Sequence, residues 1–392
     1  MSSRPRVAFV HGAAFGHGGL AVQAANAAAA LATAAELHSI GPSARFWPRS
    51  GERSAFQTIE VPARSPRWHR WRAVRSFQGR LQHSYDVGIG RFAAAQLDAL
   101  KPDICYVFTQ VGLEALRWCR RHGVPTVLES PNGHLRAFRQ VYLDEYRQWC
   151  RGTYRGHPSA AMVARVEEEY ALADRIRVSS EWAQASLAEG GVPASRVTVL
   201  QQAVDLTTFA PSTTVGEPAG PLRVVFVGTL DMRKGFVYLL DALRRLQQPV
   251  TLDLVGGTVD RCTRRLLADC ARGLDVHARA GDPRAAYRLA EVSVLPTLED
   301  GSPFAAAEAM ASGLPLIVTD ACGAREWVDE GRTGWIVPPR DAGAIAAALA
   351  NALRRRTELP SMGRAARAAT ERRATPGSCD RLVAAWVLAG AT

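Results

Sequence analysis

Short apolar runs recur along the chain, separated by stretches whose apolar positions return every three or four residues. This is the pattern of repeated strand–helix units. Arg6–Val10 (RVAFV) reads as a first strand, and the glycine loop after it leads into an alanine-rich segment, Leu20–Leu37, that reads as a helix. Ile104–Phe108 (ICYVF) and Thr126–Ser130 (TVLES) read as buried strands separated by a helix over Leu113–His122, with further strands at Arg175–Ser180 and Arg196–Leu200. Pro211–Pro221, rich in Pro, Gly, Ser and Thr, has linker composition. Beyond it the pattern restarts at Arg223–Gly228 and continues through Leu252–Gly257, Val292–Pro296 and Pro315–Asp320. Two successive α/β domains follow, and in open sheets of this kind ligands gather at the carboxyl ends of the strands.

The 392 residues, 47% of them hydrophobic, suffice for two domains that each bury a core. Leu20–Leu37 carries one charge, Glu36, but alanine is too weakly apolar to span a bilayer, and Gln23 and Asn26 interrupt it. Seven cysteines with no C-x-x-C pair argue against both a disulfide framework and a zinc site, and suit a reducing cytosol. The net charge of +11 has the sign of a nucleic-acid or membrane binder. Yet only Lys101 and Lys234 among the 48 basic residues are lysines, and biased codon usage also produces such an arginine excess.

Two blocks carry candidate chemistry. In Leu295–Asp320 (LPTLEDGSPFAAAEAMASGLPLIVTD) a buried strand leads to Ser302, a good helix N-cap, and Pro303, a good first helical residue, with Gly313 and Pro315 as the stop. A helix start at a strand's carboxyl end favours phosphate. Glu308 lies inside this apolar helix, where a carboxylate needs a hydrogen-bonding partner. Either one of the many arginines or a ligand's vicinal diol, such as a ribose, meets that need. In Phe226–Leu240 (FVGTLDMRKGFVYLL), a strand, a glycine turn, two cations and a helix make a sensible diphosphate clamp. A lysine kept in so arginine-rich a chain marks Lys234 for this role, although a surface lysine at a helix start would look the same.

Together these blocks resemble family 4 of the retaining glycosyltransferases, which have the GT-B fold of two Rossmann-like domains facing each other across a cleft. The resemblance extends over the Gly18-Gly19 loop, Glu168–Phe209, Gly228 through Lys234-Gly235, and Asp300 through Glu308-Ala309-Met310. It continues in Gly313-Leu314-Pro315, Gly323 through Glu326, and Gly331 through Gly334. It implies an N-terminal acceptor domain over residues 1–215, a donor domain over 220–375, and a final helix over 376–392 packing back on the N-terminal domain.

Carried over position by position, Glu308 matches the acid that binds the donor ribose, and Asp300 the acid that contacts the transferred sugar. Lys234 matches the lysine on the diphosphate, and Gly18 and Gly19 the glycine loop facing the donor. Ser302, Pro303 and Phe304 belong to the same donor-binding turn. His134 resembles a histidine that lines the acceptor side, and is read with Asp300 as catalytic; a loop histidine satisfied by its neighbours fits equally. Thr229 stands where the family usually has arginine, and Arg233 is the candidate replacement. Asp300-Gly301-Ser302-Pro303 replaces the commoner Glu-Gly-Phe-Gly.

The resemblance implies a UDP-, GDP- or ADP-sugar donor, a sugar-containing or lipid-linked acceptor, retention of configuration, no metal and no cofactor. It points to cell-surface polysaccharide or glycoconjugate synthesis in the cytoplasm. Arg64–Arg80, which interleaves arginines with Trp68, Trp71 and Phe77 and contains no acid, suits a peripheral contact with the anionic inner membrane face. Two rival readings meet the same residues. An NAD(P)-dependent oxidoreductase would use Gly16-x-Gly18, but needs an acid ending the second strand, and the strand read at Ala44–Trp47 lacks one. A nucleic-acid binder leaves Asp300 and Glu308 unexplained.

Overall fold

The computed structural model describes residues 4–12, 19–42, 57–61, 78–150, 158–212, 220–373 and 378–389. The first sheet is built from β1 (Arg6–Val10), β2 (Glu36–Gly41), β3 (Gln57–Glu60), β4 (Ile104–Phe108), β5 (Thr126–Glu129), β6 (Arg175–Val178) and β7 (Val197–Val199). All its pairings are parallel, in the order β3-β2-β1-β4-β5-β6-β7. Helices α1 (Gly19–Ala32), α2 (Gln78–Leu100), α3 (Leu113–His122), α4 (Leu135–Cys150), α5 (Ala160–Leu172) and α6 (Glu181–Glu189) accompany it.

The second sheet contains β8 (Leu222–Val227), β9 (Val250–Val255), β10 (Asp275–Arg279), β11 (Val292–Leu295), β12 (Leu316–Thr319) and β13 (Gly334–Val337). It is also parallel, in the order β10-β9-β8-β11-β12-β13. Its helices are α7 (Phe236–Leu246), α8 (Arg261–Cys270), α9 (Arg284–Leu289), α10 (Phe304–Ala311), α11 (Ala342–Arg354) and α12 (Leu359–Arg373). Every residue of β4, β5, β11 and β12 is buried, which is why these strands are mostly apolar, with Thr126, Glu129, Ser293 and Thr319 as buried polar exceptions.

Three features differ from the sequence expectations. The alanine helix stops at Ala32, and the second strand is Glu36–Gly41 rather than a strand at Ala44–Trp47, whose residues lie outside those described. Its buried His38 and Ser39 disguised it: His38 lies beside Glu36, and Ser39 pairs with His11 at 3.0 Å. The acid of this strand therefore sits at its amino end, and the carboxyl end is Ile40-Gly41, so the dinucleotide reading still lacks its ribose partner. Second, Cys150 and Cys262 form a disulfide, against the expectation of none. The two, at the end of α4 and on α8, are 112 residues apart in sequence, and the fold brings their Cα atoms to 5.9 Å. Third, Pro303 rather than Ser302 occupies the N-cap of α10 and no side chain caps it.

Helix α4 lies between β5 and β6 of the first sheet in sequence, but much of its apolar face packs on the second domain. Tyr142 and Tyr146 are buried with Phe236, Leu239 and Leu243. Their hydroxyls donate to Asp231 at 2.9 Å and Asp260 at 2.7 Å. Glu145, fully buried, accepts from the Tyr238 hydroxyl at 2.8 Å and from Arg340 at 2.6 Å. The final helix α13 (Ser378–Leu388) crosses the other way. Val383, Ala384 and Val387 join the N-terminal core, and Arg175 lies 4.5 Å over the Trp386 ring. No helix among the described residues is long and apolar enough to cross a membrane.

Candidate active site

The strand order of each sheet reverses direction at one place, between β1 and β4 in the first and between β8 and β11 in the second. A crevice opens at such switch points, outside the strands' carboxyl ends. Here the two crevices face each other and merge into one cavity of about 640 Å³. Gly12 and Thr109, just after β1 and β4, line one wall; Gly228 and Thr297, just after β8 and β11, line the other.

The turn after β8 delivers two cations. Asp231 caps it, its carboxylate accepting from the Lys234 backbone N–H at 3.1 Å. Gly235 then turns the chain with φ 69°, where a side chain would overlap the Pro296 carbonyl at the end of β11. The ammonium of Lys234 bonds the Asp300 carboxylate, and the Arg233 guanidinium lies 3.4 Å from the same group. Arg233 also reaches Glu299 at 3.3 Å and lies 4.9 Å over the Phe138 ring. Arg233 is thus fixed from both domains, and it and Thr229 both line the cavity.

Asp300 and Glu299 are adjacent, yet their ionisation is pushed in opposite directions. Burial raises both, but beside Lys234 and Arg233 the Asp300 carboxyl falls below the usual carboxylate range. For Glu299 burial wins over Arg233, and the neighbouring Asp300 adds to it, lifting the carboxyl to about 7. Glu299 accepts a hydrogen bond from the Gly133 backbone N–H at 3.1 Å, across the cleft. Other contacts join the domains here. The Ser180 hydroxyl donates to the Gly301 carbonyl, and the Trp182 N–H donates to Glu326 at 2.8 Å. Gly301 is required because a side chain there would overlap the Pro131 carbonyl of the first domain. Sequence reasoning passed over Glu299, although an acidic pair directly after a buried strand was a readable signal.

Glu308, on α10, lines the cavity, and its described partner is a tyrosine rather than an arginine. The Tyr287 hydroxyl donates to Glu308 Oε2 at 3.2 Å and lies equally far from the Ala305 carbonyl. Burial lifts the Glu308 carboxyl to about 7, against the pull of this hydrogen bond. The folded protein therefore holds this proton more tightly than the unfolded chain, whose carboxyl titrates near 4.5, and stability from this group falls as pH rises between those values. Glu308→Gln is expected to melt higher than wild type by a margin that widens from pH 5 to pH 8. A margin that stays constant over that range would contradict the strained carboxylate.

Of the remaining sequence-derived candidates, Gly19, Ser302, Pro303 and Phe304 line the cavity. Gly19 opens α1 and Phe304 opens α10, and a side chain added at Gly19 would sit 3.3 Å from the Phe304 ring, so two helix starts meet across the cleft. Gly16, Gly18 and 64–77 lie outside the described residues. His134 does not reach the cavity. Its buried ring packs 5.3 Å from Tyr170 and against Gly190, and its backbone N–H donates to Ser186 at 3.0 Å. Burial lowers its pKa, which is the behaviour of a neutral packing histidine. Among the described residues, no group of three or more His, Cys, Asp or Glu is placed to hold a metal ion.

Residues 221–355 match the family model of the glycosyl transferases group 1. The matched stretch lies within the second domain. Over 187 residues the chain is 32% identical to the putative colanic acid biosynthesis glycosyltransferase WcaL of Escherichia coli K12, covering 44% of this chain and 46% of WcaL. The chain therefore spans about half the length of that relative. It is 29% identical over 296 residues to a GDP-mannose-dependent alpha-mannosyltransferase of Mycolicibacterium smegmatis, covering 73% of this chain and 74% of the relative. The fold matches sucrose-phosphate synthase of Thermosynechococcus elongatus with a TM-score of 0.77 at 20% identity, over 98% of this chain and 99% of the other. HepE of Anabaena in complex with UDP-glucose gives 0.72 at 14% identity, over 98% of this chain and all of that one. These likenesses establish the GT-B architecture.

Proposed function

We propose that the chain transfers a sugar, with retention of configuration, from a nucleoside diphosphate-sugar to a hydroxyl acceptor in glycan or glycoconjugate synthesis. One observation carries the proposal: Lys234, Arg233 and the starts of α1 and α10 converge on one wall-to-wall cavity that also holds Glu308. Cations and helix starts attract a diphosphate, and Glu308 offers the acceptor oxygens that a ribose diol needs. Asp300, held ionised by the two cations, stands where a hexose attached to that diphosphate would be gripped. As the sugar–phosphate bond breaks, Lys234 and Arg233 neutralise the departing diphosphate, doing without a metal. The relatives named for GDP-mannose and crystallised with UDP-glucose make GDP- and UDP-sugars the first donors to try.

The test is product analysis. The sugar released from an α-linked donor is expected to be α-linked in the product by NMR, with unchanged turnover in EDTA. An inverted product, or activity abolished by chelation and restored by magnesium or manganese, would contradict this reading. Work in the cytoplasm against an anionic membrane, through Arg64–Arg80, belongs to the same proposal. It predicts co-sedimentation with phosphatidylglycerol vesicles at low salt and none with neutral vesicles; equal binding to both would remove it.

A further inference from the structure

The two walls of the cavity differ in chemistry. Among the described lining residues, the cations, Arg233 and Lys234, both belong to the second domain. The polar lining of the first domain is a carboxyl and five carboxamides: Asp86, Gln23, Gln82, Gln110, Asn132 and Gln202, with only the hydroxyl of Thr109 besides. Asp86, on α2, is 4% exposed. One of its oxygens accepts from the Gln82 amide at 2.8 Å, and the other is buried with no hydrogen-bond partner among the described residues. Burial lifts its carboxyl to about 7, against the Gln82 hydrogen bond and the charge of Arg165. Gln202, 7% exposed, likewise leaves its carbonyl oxygen without a partner.

The loop facing Asp86 is held rigidly. Gln110 has φ 79°, a conformation that non-glycine residues rarely adopt. Its backbone N–H donates to buried Glu169 at 2.7 Å, and Arg165 donates to its carbonyl at 2.7 Å. Glu169 also accepts from the N–H groups of Gly112 and Leu113 at 3.0 and 3.1 Å. A strained residue over-determined by its surroundings belongs to a preformed surface.

The unsatisfied atoms of this wall are oxygens that need donors, and a ligand's hydroxyl groups supply them. A phosphate or carboxylate supplies further acceptors and meets the Asp86 charge, while Arg165, whose charge reaches Asp86, is already bonded to Glu114 and lies 3.7 Å from Glu169. We propose that the N-terminal wall binds an uncharged polyol acceptor, a sugar presenting free hydroxyls, with Asp86 accepting a hydrogen bond from one of them and Gln82 positioning the Asp86 carboxyl. This rests on the transferase reading, because it names the acceptor that meets the sugar held on the opposite wall.

The experiment measures release of UDP or GDP from UDP-glucose and GDP-mannose by the full chain. Release is read in water alone, with methyl glucoside and methyl mannoside, and with glucose 6-phosphate and mannose 6-phosphate. Release in water reads the parent proposal by itself. The neutral glycosides are expected to stimulate release and the phosphates to stimulate at least 10-fold less. In Asp86→Ala the ratio of glycoside-stimulated to water-only release is expected to fall about 10- to 100-fold. Stimulation by the phosphorylated sugars alone, stimulation by none of the neutral ones, or an unchanged ratio in Asp86→Ala overturns the acceptor assignment while leaving the donor reading standing.

Discussion

Lys234→Ala is expected to lower turnover of the nucleotide-sugar about 10²- to 10³-fold, the loss typical of removing one charged stabiliser from a developing anion. Lys234 sits on the cavity wall with its ammonium shared between Asp300 and the space beyond. Its removal leaves Asp300 with Arg233, 3.4 Å away, so the buried carboxylate keeps a partner and the fold is expected to persist. The diagnostic is selectivity: affinity for UDP or GDP should fall far more than affinity for uridine or guanosine. Equal weakening of nucleoside and diphosphate, measured by calorimetry, would remove Lys234 from the diphosphate site and reduce it to a structural counterion.

Glu308→Gln is expected to cost about 10- to 150-fold in kcat/KM for the donor, since hydrogen bonds to a charged group contribute roughly 1.5–3 kcal/mol. An amide accepts through one oxygen only and places a donor where the second diol hydroxyl would bond. Because Glu308 must ionise to accept both, and its carboxyl stands at about 7 in the empty site, donor kcat/KM in wild type should rise as pH increases through 7. The variant should lose that limb of the profile. A variant with wild-type kcat/KM, or one that keeps the same rise with pH, would place the titration elsewhere and end the ribose role.

The sequence made legible whatever was purely apolar or purely local. The β4 core is continuous burial written as continuous hydrophobicity, and the Leu113–His122 helix is one buried apolar face written as a three-to-four-residue repeat. The strand at Glu36–Gly41 escaped because His38 and Ser39 are buried polar residues that break its apolar run, His38 beside Glu36 on the same strand and Ser39 beside His11 after β1. The disulfide between Cys150 and Cys262 and the role of α4 in bridging the domains are long-range facts with no local signature. In the site, Lys234 and Glu308 stood out as charges set in glycine-rich or apolar surroundings, and Asp300 through the family resemblance; all three line the cavity. Tyr287 and Asp86 were not, because an ordinary tyrosine or acid gains meaning only from what the chain brings beside it. His134 shows the converse: its place in a motif suggested chemistry, and its packing against Tyr170 and Gly190 gives it a structural task.

The central claim is that the cleft takes a nucleoside diphosphate-sugar with its diphosphate on Lys234 and Arg233. Calorimetric titration of the full chain with UDP-glucose, GDP-mannose, ADP-glucose and NAD, each with and without EDTA, tests it most directly. Saturable binding of at least one nucleotide-sugar is expected, unaffected by chelation, with NAD binding absent or much weaker. Binding of NAD in preference to all three sugars, or nucleotide-sugar binding that disappears in chelator, would contradict it.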